Sequence, residues 1–132
     1  MEEFGLSPKS GMVKLLKPLG FFAYNKLQMN AKCVLSDSGT LSEESSILGF
    51  PGVMIRQAHE RPEGMDMAVA IMAGLETESV LHAIDVTLTH HDRLKSVRPI
   101  VDDYSREFFS AIVTRTILSY SDYIKRTVWR EY

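Results

Sequence analysis

The stretch Cys33-Val34-Leu35-Ser36-Asp37-Ser38-Gly39-Thr40-Leu41-Ser42-Glu43-Glu44 decides the fold, because in it an apolar run breaks off into a run of capping residues. Val34 and Leu35 have the character of a buried strand. Ser36, Asp37 and Ser38 offer side-chain oxygens for a helix cap, Gly39 permits close backbone approach, and Glu43 or Glu44 falls in the first helical turn. A strand that passes directly into a helix leaves unpaired amides and the positive end of the helix dipole facing the turn, and a phosphate is their natural guest. The same turn is plain scaffolding in many α/β proteins, so the residues around it must decide between the two readings.

Working outward, the spacing predicts four strands, at residues 12–16, 32–36, 52–55 and 69–72, the second and third opened or closed by Ser36, Gly49 and Pro51. Helical periodicity covers 21–31, 41–48 and 76–89, with Thr77 as the expected cap of the last and His90 and His91 near its end, where positive charge suits the dipole. Residues 56–64 read as a long polar loop stiffened by Pro62. Strands alternating with helices over short connections give an α/β fold with a partial Rossmann-like parallel sheet of about four strands and flanking helices. Ligands of such sheets lie outside the carboxyl ends of the strands, where Asp37 to Thr40 and Arg56 to Arg61 would both emerge. From Asp102 the texture becomes continuously helical and aromatic, read as two consecutive helices through Phe108, Phe109, Tyr120, Tyr123 and Trp129. The expected division is therefore 1–100, a nucleotide-binding unit, and 101–132, a C-terminal helical tail in need of a partner surface.

Composition narrows the function classes. The chain has 132 residues, 45% hydrophobic and 24% charged, enough for one real core. A net charge of −2 gives no electrostatic footprint for nucleic acid, and Lys125, Arg126 and Arg130 read as a solvated helix face. The single cysteine, Cys33, lies in an apolar run and reads as a small buried hydrophobe rather than a nucleophile, which fits a reducing compartment. The start shows no basic segment followed by an apolar run, and no long uncharged apolar stretch occurs, so a cytoplasmic protein without membrane contact is expected.

Several side chains are candidates for chemistry. Glu44 lies about a turn and a half beyond Ser38, where its carboxylate can accept hydrogen bonds from ribose hydroxyls; a solvated helix-face glutamate is the plainer alternative. Arg56 and Arg61 flank a loop that returns to the same strand ends and can fork onto phosphate oxygens. His59, His82, His90 and His91 lack the spacing of a zinc site, and Asp102-Asp103 reads as helix-start chemistry, so no metal is expected. Asp37-Ser38-Gly39-Thr40 also matches the signature of aspartic proteases, but that motif belongs to an all-β fold, whereas residues 41–48 here read as helix.

Taken together, Ser36 to Glu44, the turn Leu48-Gly49-Phe50-Pro51, and Arg56-Gln57-Ala58-His59-Glu60-Arg61-Pro62-Glu63-Gly64 resemble the signature of the non-hydrolysing UDP-N-acetylglucosamine 2-epimerases. The resemblance runs from about Val13 to the end, and Asn25-Lys26-Leu27-Gln28 with Ser119 to Trp129 is most similar to the capsular-polysaccharide branch, which forms UDP-N-acetylfucosamine. It implies a GT-B-like architecture with the sugar nucleotide between two Rossmann-like halves, of which this chain matches the later part of the second. Ser38, Gly39, Thr40 and Arg61 would bind the UDP phosphates, Glu44 the ribose, and Tyr24 would pack on uracil. No catalytic residue and no cofactor is implied here, because the groups that work at the sugar's C2 belong to the part not matched. Thr40 stands where much of the family has a second glycine, and Leu19 where some members have a polar residue near the base. The implied partners are a UDP-sugar or UDP, and either a second copy or a complementing first domain that the tail would brace. A half of a GT-B glycosyltransferase is the alternative of the same fold, against which the Glu60-Arg61-Pro62-Glu63 run speaks.

Overall fold

The computed structural model describes residues 11–58, 60–94 and 100–131. His59, Tyr132 and the first ten residues, which the sequence reading touches, lie outside them. Helix α1 spans Phe21–Asn30, strand β1 Val34–Ser36, helix α2 Leu41–Leu48, strand β2 Gly52–Met54, helix α3 Pro62–Asp66, strand β3 Ile71–Met72, helix α4 Thr77–Arg93, and helix α5 Phe109–Ile124. A 3-10 turn at Asp102–Tyr104 precedes α5, and a π turn at Lys125–Trp129 prolongs it.

The three strands form one parallel sheet in the order β1-β2-β3. Leu35 stands opposite Val53, and Val53 opposite Ile71. The ladder continues past the strand ends, with the Ile55 amide donating to the Ser36 carbonyl at 3.1 Å and the Ala73 amide to Met54 at 2.9 Å. Successive residues of a strand face opposite sides, so the burial of both Val53 and Met54 means that the central strand is covered on both faces, as parallel sheets require. Met54 packs with Leu41 of α2, Phe50 and Ala70, and Val34, Leu48 and Met72 close around this cluster.

The expected fourth strand is corrected. Residues 12–20 form no regular element, and Leu15 and Leu16 are exposed. Three strands added side by side correspond to one wing of a doubly wound sheet, ordered 3-2-1-4-5-6, in which a strand that comes earlier in the chain belongs at the far edge of the other wing. Among the described residues the sheet has three strands, and residues 12–16 pair with none of them.

Other differences are local. The polar loop contains α3, nucleated by Pro62 at its first position, where the missing N–H is no loss. Helix α4 has the extended Glu76, without a side-chain capping bond, at its N-cap position in place of Thr77, and it runs on to Arg93 with His90 and His91 in its last turn. The tail is one long helix after a 3-10 turn, not two helices. Its hydroxyls bond back to carbonyls four residues earlier, Thr114 to Ser110 at 2.9 Å and Ser119 to Arg115 at 2.7 Å among them, which lets a polar residue sit in an exposed helix without a distant partner. Gly49 takes the left-handed conformation that ends α2, its φ of 72° being the reason a glycine stands there.

Candidate functional site

The strand-to-helix turn forms as the sequence requires. Strand β1 ends at Ser36 and α2 begins at Leu41, so Asp37 to Thr40 lie at the carboxyl end of the sheet. Hydroxyls knit the turn: the Ser38 amide donates to Ser36 Oγ at 3.0 Å, Ser38 Oγ and Thr40 Oγ1 are 2.9 Å apart, and the Leu41 amide reaches the Ser38 carbonyl at 3.3 Å. Thr40 thus folds its hydroxyl back on Ser38. Ser38 and Thr40 are exposed at the end of a helix whose dipole is positive there, and their amides donate within the turn, that of Ser38 to Ser36 Oγ and that of Thr40 to Ser38 Oγ at 3.4 Å.

Two arginines approach from the loop after β2, and they do different things. A Cβ placed on Gly39 would lie 3.6 Å from Arg56 Nη1, so this guanidinium rests directly over the turn. Among the described residues, Arg56 makes one long ion-pair contact, to the exposed carboxylate of Glu60, 3.5 Å from Nη2. Arg61 donates from Nε to Glu43 Oε1 at 2.7 Å, which joins α2 to the start of α3 and raises the guanidinium pKa further above its ordinary value, through that hydrogen bond first and the charge of Glu43 next. No local signal in the sequence pairs Glu43 with Arg61, which are 18 positions apart.

Glu44 is half-buried on α2, and its Oε2 accepts a 2.5 Å hydrogen bond from Gln28 Nε2 of α1. Gln28 was not singled out for chemistry by the sequence; the signal available was its place four residues after Tyr24, on the same helix face. Tyr24 itself is 41% exposed on that face. The structure therefore gathers Ser38, Gly39, Thr40, Glu44 and Arg56 about one turn, sets Arg61 one residue away at Glu43, and links α1 to the group through Gln28.

Behind the turn, α2 is held by its serines. Ser45 Oγ donates to the Phe50 carbonyl at 2.7 Å, Ser46 Oγ accepts from the Val101 amide at 3.0 Å, and Ser42 lies against Gly64 of α3. Tyr104 donates to Glu63 Oε1 at 2.8 Å; burial first, and then that carboxylate, push its phenol pKa up to about 12. Cys33 is partly buried, and burial raises its thiol pKa, which keeps it protonated and unreactive near neutrality.

A cavity of about 790 Å³ opens elsewhere, at the amino ends of the strands, between Phe50, Met67, Val69, Thr87, His91 and Ile100, and it holds none of the predicted site residues. Among the described residues no group of three His, Cys, Asp or Glu side chains is placed to hold a metal ion. No described helix is long and apolar enough to cross a membrane.

Comparison with known proteins identifies the family and the fold. The family model described as UDP-N-acetylglucosamine 2-epimerase matches residues 4–118. A UDP-N-acetylglucosamine 2-epimerase of Methanococcus maripaludis is 36% identical over 91 residues, 67% of this chain and 25% of the relative. That of Bacillus subtilis is 28% identical over 88% of this chain and 30% of its own length. The solved structure of a UDP-N-acetylglucosamine 2-epimerase from Rickettsia bellii superposes with a TM-score of 0.81 at 49% identity, over 89% of this chain and 32% of that one. The chain thus spans about a quarter to a third of the length of these relatives. With a matching family model over most of its residues, and the same parallel α/β fold in a solved relative, this chain belongs to the UDP-N-acetylglucosamine 2-epimerase family.

Proposed function

We propose that this chain is the UDP-binding, C-terminal portion of a UDP-N-acetylglucosamine 2-epimerase-like enzyme, and that it has no turnover by itself. Residues 1–100 form the nucleotide-binding unit, and residues 101–132 are a tail that braces a first domain supplied by another stretch of chain or by a second copy. The amides and hydroxyls of Ser38, Gly39 and Thr40 hold the diphosphate, Arg61 adds charge to it, Glu44 accepts from the ribose hydroxyls and Tyr24 packs on uracil. The observation that supports this reading is the meeting at one sheet end of the exposed turn residues Ser38 and Thr40 before α2, the Arg56 guanidinium over Gly39, and Glu44 one turn along α2.

In the reaction that the resemblance implies, UDP leaves as the C2 proton is lost, and it is re-added after the C2 face is inverted. This portion would steady the charge developing on the leaving diphosphate, a role worth roughly 3 kcal/mol for one well-placed donor. Proton abstraction needs a base within hydrogen-bond reach of C2, and none of the residues assigned here has that part. The product belongs to capsule or surface polysaccharide synthesis in the cytoplasm, with a UDP-sugar as the small-molecule partner and neither nucleic acid nor membrane involved. The exposed aromatic face of α5 favours a second reading, a nucleotide-binding or oligomerisation module without any catalytic role.

Calorimetry with UDP is the test. Micromolar binding that weakens about tenfold in Ser38→Ala and in Glu44→Ala supports the nucleotide site; no binding refutes it. Conversion of UDP-N-acetylglucosamine by this chain alone would refute the absence of turnover.

A further inference from the structure

Helix α1 is built the wrong way round for a helix that docks by hydrophobic burial. Phe21, Phe22, Leu27 and Met29 are all exposed, while its single buried residue is polar: Gln28, at 3% exposure. Where a leucine would serve packing, an amide is held against α2. The Gln28 amide donates from Nε2 to Glu44 Oε2 at 2.5 Å, and its Oε1 is buried with no hydrogen-bond partner among the described residues. A buried acceptor left unmatched is unfavourable, so a glutamine in that place needs a reason other than stability. The reason lies in what it touches. A carboxylate on a long glutamate side chain has several rotamers, and a short bond from a buried donor selects one of them. Since Nε2 takes up Oε2, the other oxygen of Glu44 remains to accept from a ligand, and among the described residues no further hydrogen bond reaches that carboxylate.

We propose that Gln28 is a positioning residue, which fixes the Glu44 carboxylate in the orientation that recognises the ribose of the bound nucleotide. The inference rests on the reading of Glu44 as the ribose contact. It adds that ribose selectivity is set from α1, one turn beyond Tyr24, so that the helix carrying the base contact and the helix carrying the sugar contact are locked together by one hydrogen bond.

The test compares UDP with 2′-deoxy-UDP by calorimetry on the whole chain. The unmodified protein should prefer UDP by roughly tenfold, the worth of a hydrogen bond to a charged group. In Gln28→Met, which keeps length and packing, UDP affinity should fall to that of 2′-deoxy-UDP while the affinity for 2′-deoxy-UDP stays unchanged. The double variant Gln28→Met with Glu44→Ala should bind as Glu44→Ala does, because a residue that acts through another adds nothing once the other is gone. If Gln28→Met lowers the melting temperature so far that it does not fold, Gln28→Asn, whose amide is drawn back by one methylene, gives the same readout. Equal losses for both nucleotides, or an unchanged preference, would overturn the proposal and leave Gln28 a packing residue. Failure of the unmodified chain to bind UDP at all would instead remove the ribose reading on which it stands, and the proposal with it.

Discussion

Gly64 shows how a single hydrogen atom can set the spacing of two helices. A Cβ there would come within 2.9 Å of Ser42 Cβ and 3.0 Å of its Oγ, so α3 approaches α2 only because neither residue carries bulk. Helix propensity favours alanine over glycine by about 1 kcal/mol, whereas overpacking costs typically 1–3 kcal/mol. Ser42 Cβ is fixed to the α2 backbone and cannot swing aside, so the clash wins. Gly64→Ala is expected to lower the unfolding free energy by about 1 kcal/mol in urea titration, and to loosen the Arg61 to Glu43 bond that the close approach allows. Tyr104 makes a second residue-scale prediction. Its phenol titrates near 10 when unfolded and at about 12 in the fold. Above pH 10 the unfolded chain therefore gives up a proton that the folded chain keeps, so the stability contributed by Tyr104 is intact below pH 10 and declines as pH rises toward 12. In Tyr104→Phe this part of the alkaline loss should be missing, as read from melting temperatures across that range.

At the scale of elements, α2 is the hub of the unit. It starts at the candidate phosphate turn, its hydrophobic end residue Leu41 packs on Gly52 of β2, and its serines reach Phe50 and Val101. Ser46 is the most telling of these, because it satisfies a buried backbone amide 55 positions away. Ser46→Ala leaves that N–H without a partner and should cost about 1–3 kcal/mol. The check is a urea denaturation series in which Ser46→Ala falls well below a surface control such as Ser121→Ala, whose hydroxyl serves only its own helix. UDP affinity should change little, since the bond lies at the far end of α2 from the turn.

For the whole molecule, the notable feature is how little of its apolar surface is put away. Phe109, Ile117, Leu118, Val128 and Trp129 of the tail are exposed, as are Phe21, Phe22 and Leu27 of α1, and α5 buries no residue. Patches of this kind mark interaction surfaces on proteins in solution. The chain is expected to associate at micromolar concentration and to bind a hydrophobic dye, and Ile117→Lys combined with Trp129→Ser should reduce both. Light scattering that finds a monomer at all concentrations would contradict this.

Much of this architecture is legible locally. The alternation of apolar runs with capping residues marks β1, α2, β2, β3 and α4, and the turn Asp37 to Thr40 is written in consecutive residues, because caps and glycine turns are short-range effects. The segment at 12–16 has strand-like residues too, yet a strand needs a neighbour to pair with, and no local signal reports its absence. The same holds for the candidate site. Ser38, Gly39, Thr40 and Glu44 can be named from their spacing along one turn and one helix. The pairing of Glu43 with Arg61, the placing of Arg56 over Gly39 and the hold of Gln28 on Glu44 arise only when separate elements pack, since each joins residues 16 or more positions apart. Sequence determined which groups stand at the turn; tertiary packing decided which way they face, because direction is set by contacts between helices that share no stretch of chain.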